Sequence, residues 1–188
     1  MLCSCSNNNL VDVIGQCDPS KIIFTSSAVD VNFTEISIPE ICNIPCEKPD
    51  VESVEKVFVS VKILSKRVVK TPERTGSVVT NAENTILTGR KLIVEGILCQ
   101  KIVYTADVLT QTVHSAHFNV PFSAFIIVPE TIDISGTATD TLDIPFCIDI
   151  CVEDVFVKAF NARQIFKNVT LFLRAKPDIK ECVVTSGE

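Results

Sequence analysis

Nine cysteines are the residues of this chain best able to do chemistry, and their spacing is uneven. Cys3 and Cys5 form a C-x-C pair, Cys42/Cys46 and Cys147/Cys151 are each C-x-x-x-C, and Cys17, Cys99 and Cys182 stand apart. A thiol can bond another thiol, ligate zinc or attack an electrophile. Structural zinc favours C-x-x-C knuckles on turns, or histidines at ligand spacing, and this chain has neither pattern. Nine is odd, so complete pairing inside one chain is impossible; a bond to another molecule or a free thiol follows. His114 and His117 sit three apart, which on a strand turns them to opposite faces. The adjacent carboxylates Glu153 and Asp154 diverge for the same reason. G-x-S-x-G, G-x-x-x-x-G-K-[ST] and G-x-G-x-x-G are absent. The residues therefore predict no enzyme: no catalytic, cofactor-binding or metal-ligating side chains, and no cofactor.

The second C-x-x-x-C pair lies in a stretch that alternates like a strand. Phe146, Ile148, Ile150 and Val152 form its apolar face, and Cys147, Asp149, Cys151 and Glu153 point the other way. At the usual strand rise Cys147 and Cys151 are about 13 Å apart, too far to bond each other. Three readings stay open for such outward thiols: idle reduced cysteines, a metal site shared with a neighbour, or disulfides to a neighbouring molecule. The last is the leading expectation, with Cys3, Cys5, Cys17, Cys147, Cys151 and Cys182 as candidates. Cys42 and Cys46 form another candidate disulfide. Cys99 shares its alternation with Ile93, Ile97 and Val103 and is expected in the core.

The elements that must hold these residues are strands. Val, Ile and Thr make up 62 of the 188 residues, and β-branching restricts χ1 in a way that favours strands over helices. Residues 57–63 alternate, with Val57, Val59, Val61 and Ile63 on one face and Ser60 and Lys62 on the other. Residues 91–104, 117–128, 144–157 and 168–176 continue the series, with a bulge or bend at Gly96 and an edge or bulge position forced by Pro121. Turn chemistry falls at 71–76, 81–89, 129–143 and 161–163. The one helical expectation is a single turn over 50–56, with Asp50 as N-cap. Even spacing of short strands predicts an all-β body, a β-sandwich or jelly-roll-like fold over 21–177. It follows a cysteine-bearing arm over 1–20 and precedes a tail over 178–188. The strip 10–14 within the arm is short enough to serve as a strand added to a sheet edge. Val54-Glu55-Lys56-Val57-Phe58-Val59 is echoed by Val152-Glu153-Asp154-Val155-Phe156-Val157, which raises the question of an internal two-fold repeat.

A net charge of −6 argues against a phosphate backbone as partner, so nucleic acid is not expected. No stretch approaches the roughly 18 apolar residues of a membrane span, and no membrane is expected. The first residues carry neither a basic nor an apolar signal region, which predicts synthesis in a reducing cytosol and disulfide formation after release.

Longer motifs carry a resemblance. Residues 88–96, 101–107 and 113–126 (Thr-Gly-Arg-Lys-Leu-Ile-Val-Glu-Gly, Lys-Ile-Val-Tyr-Thr-Ala-Asp and Val-His-Ser-Ala-His-Phe-Asn-Val-Pro-Phe-Ser-Ala-Phe-Ile) resemble the SPOCS-domain family of spore-forming firmicutes. So do 152–157, 171–175 and, upstream, 38–41 and 44–50, which extends the resemblance over about 33–177. It implies a β-rich domain of the spore envelope without known catalysis. One relative, SipL, adds a LysM module and helps attach the coat to the forespore by binding a coat morphogenetic ATPase. This chain shows no LysM module and carries a cysteine-bearing arm instead, departures that put peptidoglycan attachment and ATPase binding in doubt for it. The resemblance points instead to a self-assembling structural subunit of the coat, exosporium or a spore-appendage fibre, made in the mother-cell cytoplasm. Its expected partners are itself and other spore coat proteins; the alternative is a non-polymerising adaptor for a coat morphogenetic protein.

Overall fold

The computed structural model describes residues 11–22, 32–73 and 87–178. Cys3, Cys5 and Cys182 lie outside the described residues. The described residues form nine strands, in chain order β1 (Asp12–Ile14), β2 (Phe33–Asn43), β3 (Val51–Glu73), β4 (Thr88–Ala106), β5 (Val113–Ile127), β6 (Thr131–Ile134), β7 (Thr137–Asp140), β8 (Phe146–Asn161) and β9 (Gln164–Pro177). One sheet has the order β1-β3-β4-β5 and a second β2-β9-β8, while β6 and β7 form a small hairpin. Neighbours are antiparallel except β1, which runs parallel to β3 with Val13 opposite Val57. The inner faces of the two larger sheets meet in one apolar core that includes Val57, Leu92, Leu98, Ile102, Ile126, Leu171 and Leu173. This is the predicted all-β sandwich.

The alternation over 57–63 holds, with Val57 and Val59 buried and Ser60 and Lys62 exposed. Pro121 sits in β5, an edge strand, where a missing N–H is tolerated. At Gly96 the irregularity lies on the partner strand: register slips between Ile63 and Ser65, opposite Gly96. Gly96 itself is a packing requirement, since a Cβ there would lie 2.6 Å from the Phe122 ring and 2.8 Å from the Lys62 carbonyl oxygen.

Two expectations need correction. Residues 50–56 form no helical turn, because Val51–Lys56 belongs to β3. Cys99 is a half-exposed thiol on the outer face of its sheet, since the buried series of β4 is Leu92, Val94, Leu98, Gln100, Ile102 and Tyr104. In addition, the 129–143 stretch predicted as turn contains the β6–β7 hairpin. The hairpin is tied to β4 by buried Arg90, which bonds Asp140 (2.7 and 3.1 Å) and Glu130 (3.2 Å).

Candidate functional site: the stapled arm and the sheet edges

The described arm, 11–22, lies against both sheets. β1 pairs with β3 over Lys56–Phe58, and Lys56 Nζ meets Asp12 at 3.2 Å. The chain then crosses to the second sheet at Gly15. With φ +112° and a would-be Cβ only 1.9 Å from the Val59 carbonyl oxygen, this position excludes any side chain. Beyond it, the Cys17 N–H donates to the Val152 carbonyl of β8 (3.0 Å), and Gln16 Nε2 donates to the Glu153 carbonyl (3.3 Å). A 3-10 turn over Pro19–Lys21, capped by the Asp18 carboxylate, follows.

Both contacts fall beside a bulge. Register slips between Val54 and Lys56 in β3, and again between Val152 and Asp154 in β8, leaving Glu55 and Glu153 as the extra residues. These are corresponding positions of the Val-Glu-x-Val-Phe-Val echo. A bulge sharpens the local twist and interrupts the ladder, a suitable place for an added segment to dock.

Covalent chemistry fixes the arm. Cys17 and Cys151 form a disulfide, with Cα atoms 5.2 Å apart. Two of the expected intermolecular thiols are therefore partners within one chain. The reason is that the arm passes the β8 edge within bonding reach of the face on which Cys151 lies, and pairing buries Cys151 to 2% exposure. Cys147 is disulfide-bonded as well, not a free thiol. The C-x-x-x-C pair thus keeps the predicted outward face and the predicted absence of a mutual bond. Beside it, Asp149 accepts from Lys176 Nζ (2.8 Å) and Arg174 Nε (3.0 Å). Burial pushes the Asp149 carboxyl up, but these two cations together hold it below the usual carboxylate range.

The expected Cys42–Cys46 bond is not formed; both are free thiols. Cys42 points into the core from β2 while Cys46 is exposed in the β2–β3 connection, so their side chains part. That connection is pinned by Arg163, which donates to the carbonyls of Lys48 (2.7 Å) and Pro45 (3.0 Å) and to Asp50 (3.0 Å). Cys99 lines a groove of about 370 Å³ between Ile14 of the arm and the outer faces of β3, β4 and β5, with Lys101, His117 and Asn119. His114 stacks on buried Tyr104 (5.9 Å between centroids) and His117 is exposed on the other face, so the two imidazoles do not converge. Among the described residues no group of three or more His, Cys, Asp or Glu is placed to hold a metal ion.

Sequence reasoning missed a buried polar cluster. Lys167 of β9, 0% exposed, bonds Glu40 of β2 at 2.7 Å, and Gln100 of β4 bonds the same Glu40 oxygen at 3.0 Å. Its one sequence signal is Lys167 occupying the β9 series of Ile165, Val169, Leu171 and Leu173, all buried.

A family model described as SipL, SPOCS domain matches residues 50–159, more than half of the chain and narrower than the 33–177 span of the resembling motifs. The match runs from the start of β3 almost to the end of β8. No curated protein matches, and no solved structure does.

Proposed function

The chain belongs to the SPOCS-domain family and is spore-associated, and on that premise we propose that it is a self-assembling structural subunit of the endospore surface, in the coat, the exosporium or an appendage fibre. The observation that carries the proposal is the arm: a short strand laid on a sheet edge and held by a disulfide. An edge that accepts β1 from its own chain accepts the same strand from a neighbour at no cost in contacts, the logic of strand addition and domain swapping. Exchange would turn the Cys17–Cys151 bond from an internal staple into a link between subunits. Oxidation after release would then make the assembly resistant to mild reductants. The partners are other copies of the chain and coat proteins, and the role is structural.

A second reading, a non-polymerising adaptor for another coat protein, is favoured by the same bond in its internal form, because a closed arm leaves the molecule complete by itself. Mixing separates the two. A Cys17→Ala copy keeps Cys151, and a Cys151→Ala copy keeps Cys17, so together they can restore the bond only between molecules. The assembly reading expects a disulfide-linked heterodimer on non-reducing gels, and fibres or sheets of the oxidised wild type in negative-stain images that strong reductant disperses and mild reductant does not. Monomers in every sample would overturn it in favour of the adaptor.

A further inference from the structure

The cluster between the two sheets sets a buried amine and a buried carboxamide against a carboxylate that is only partly exposed. Lys167 Nζ lies 2.7 Å and Gln100 Nε2 3.0 Å from one oxygen of Glu40. Lys167 is 0% and Gln100 4% exposed. The Gln100 carbonyl oxygen is buried with no hydrogen-bond partner, an unusual and costly state for a core amide. Lys167 and Glu40 belong to the β2-β9-β8 sheet and Gln100 to the β1-β3-β4-β5 sheet, so the three side chains meet across the interface. As a stabilising device an ion pair this deep is a poor choice, since desolvation offsets most of its attraction. As a reactive site the arrangement makes chemical sense.

We propose that Lys167 and Gln100 condense to an isopeptide bond that joins the two sheets, with Glu40 relaying the proton. Glu40 takes a proton from the Lys167 ammonium, which removes two desolvated charges and frees the Nζ lone pair. Nζ attacks Cδ of Gln100 and a new C–N bond forms; the attacking nitrogen gives a second proton to the original amide nitrogen, and the bond from Cδ to that nitrogen breaks to release ammonia. The departing ammonia recovers the proton from Glu40 and leaves as ammonium, so the carboxylate is regenerated and no oxidant or reductant is consumed. Fixed proximity inside a dry core supplies the rate that the same groups lack in water. The Glu40 side chain, 18% exposed, marks the way out for ammonium. Cys42 Sγ is 3.4 Å from Nζ, but burial raises that thiol to about 11, which keeps it protonated and leaves the lysine as nucleophile.

Mass spectrometry of the full chain, reduced and alkylated, tests the bond. The expected result is an intact mass short by one ammonia, and a branched tryptic peptide joining Leu92–Lys101 to Gln164–Arg174. Lys167→Arg and Glu40→Gln, checked for a cooperative melt, should each restore the full sequence mass, with Leu92–Lys101 released unlinked and tryptic cleavage restored after position 167. Unlinked peptides at full mass in the folded wild type would overturn the proposal, whether or not the variants fold. Loss of ammonia that persists in Glu40→Gln would overturn the proton relay. The proposal does not rest on assembly, so monomeric protein can carry the bond and polymeric protein can lack it.

Discussion

Replacing Cys17 with alanine should lower the melting temperature of the oxidised protein by roughly 6–20 °C, from a disulfide contribution of about 3–5 kcal/mol. The bond joins positions 134 apart in sequence. In the chain-entropy account a loop of that length contributes about 5 kcal/mol at 25 °C. Cys147 is disulfide-bonded too, so the loop closed is no longer than this, and one of about 15 residues still contributes about 3 kcal/mol. A body of this size moves by about 2–4 °C per kcal/mol. The arm has little else to hold it: Val11, Val13, Cys17 and Ile22 are half-buried and the rest of 11–22 is exposed. Far-ultraviolet circular dichroism melts of the wild type, Cys17→Ala and the Cys17→Ala/Cys151→Ala pair make the measurement, with reductant as a further arm. Each variant loses the same one bond, so the double variant should fall below Cys17→Ala only by the packing of the buried Cys151 side chain, whereas reductant also removes the Cys147 bond. A Cys17→Ala shift under about 2 °C would refute the idea that the staple constrains the folded chain.

Gly15→Ala places a methyl group on the Val59 carbonyl and should unseat the arm; alkylation mass shifts would then report free Cys17 and Cys151 where the wild type reports none. Gly96→Ala should cost about 1–3 kcal/mol in chemical denaturation, less when combined with Phe122→Leu, because the ring is one of the two groups the new methyl meets. The Arg90 guanidinium beside Asp140, helped by the Leu142 N–H, holds that carboxyl down at about 2 against an ordinary 3.8. A depressed folded-state value means stability present above pH 4 and lost as pH falls toward 2, so Asp140→Asn should flatten that part of the melting-temperature curve. Parallel curves for the two proteins would refute it.

What the sequence disclosed and what it hid can be traced to particular residues. The 57–63 strand was legible because its outer face carries Ser60 and Lys62, so alternation also revealed which side was core. In β4 both faces are apolar. Ile93, Ile97, Cys99 and Val103 face outward while Gln100 faces in, and parity alone cannot tell such faces apart. The false helix over 50–56 has a related cause. Val51, Val54 and Val57 are buried at intervals of three because register slips after Val51 and after Val54, and two successive slips imitate a helical period. The Cys17–Cys151 bond depends on where the arm crosses between sheets, and a pattern of faces contains nothing about neighbours. The same holds for Lys167, whose parity is plain but whose partners come from β2 and β4.

The four edges of the sandwich are not equivalent, and their differences constrain assembly. β2 and β5 bound the two sheets on one side, and each carries an exposed proline near its middle, Pro39 opposite Asn168 and Pro121 opposite Ile97. A proline in an edge strand removes a donor that an incoming strand would need, a common defence against edge-to-edge aggregation. β3 and β8, on the other side, have no proline beside the bulges at Glu55 and Glu153, where the arm docks. In the proposed assembly, strand addition between copies would therefore run through the β3–β8 side, where it would compete with the arm already seated. Growth by the proposed arm exchange would be directional, each molecule giving its arm to the acceptor edges of the next. Such a contact would be heterologous, and repeated without closure it would produce a fibre.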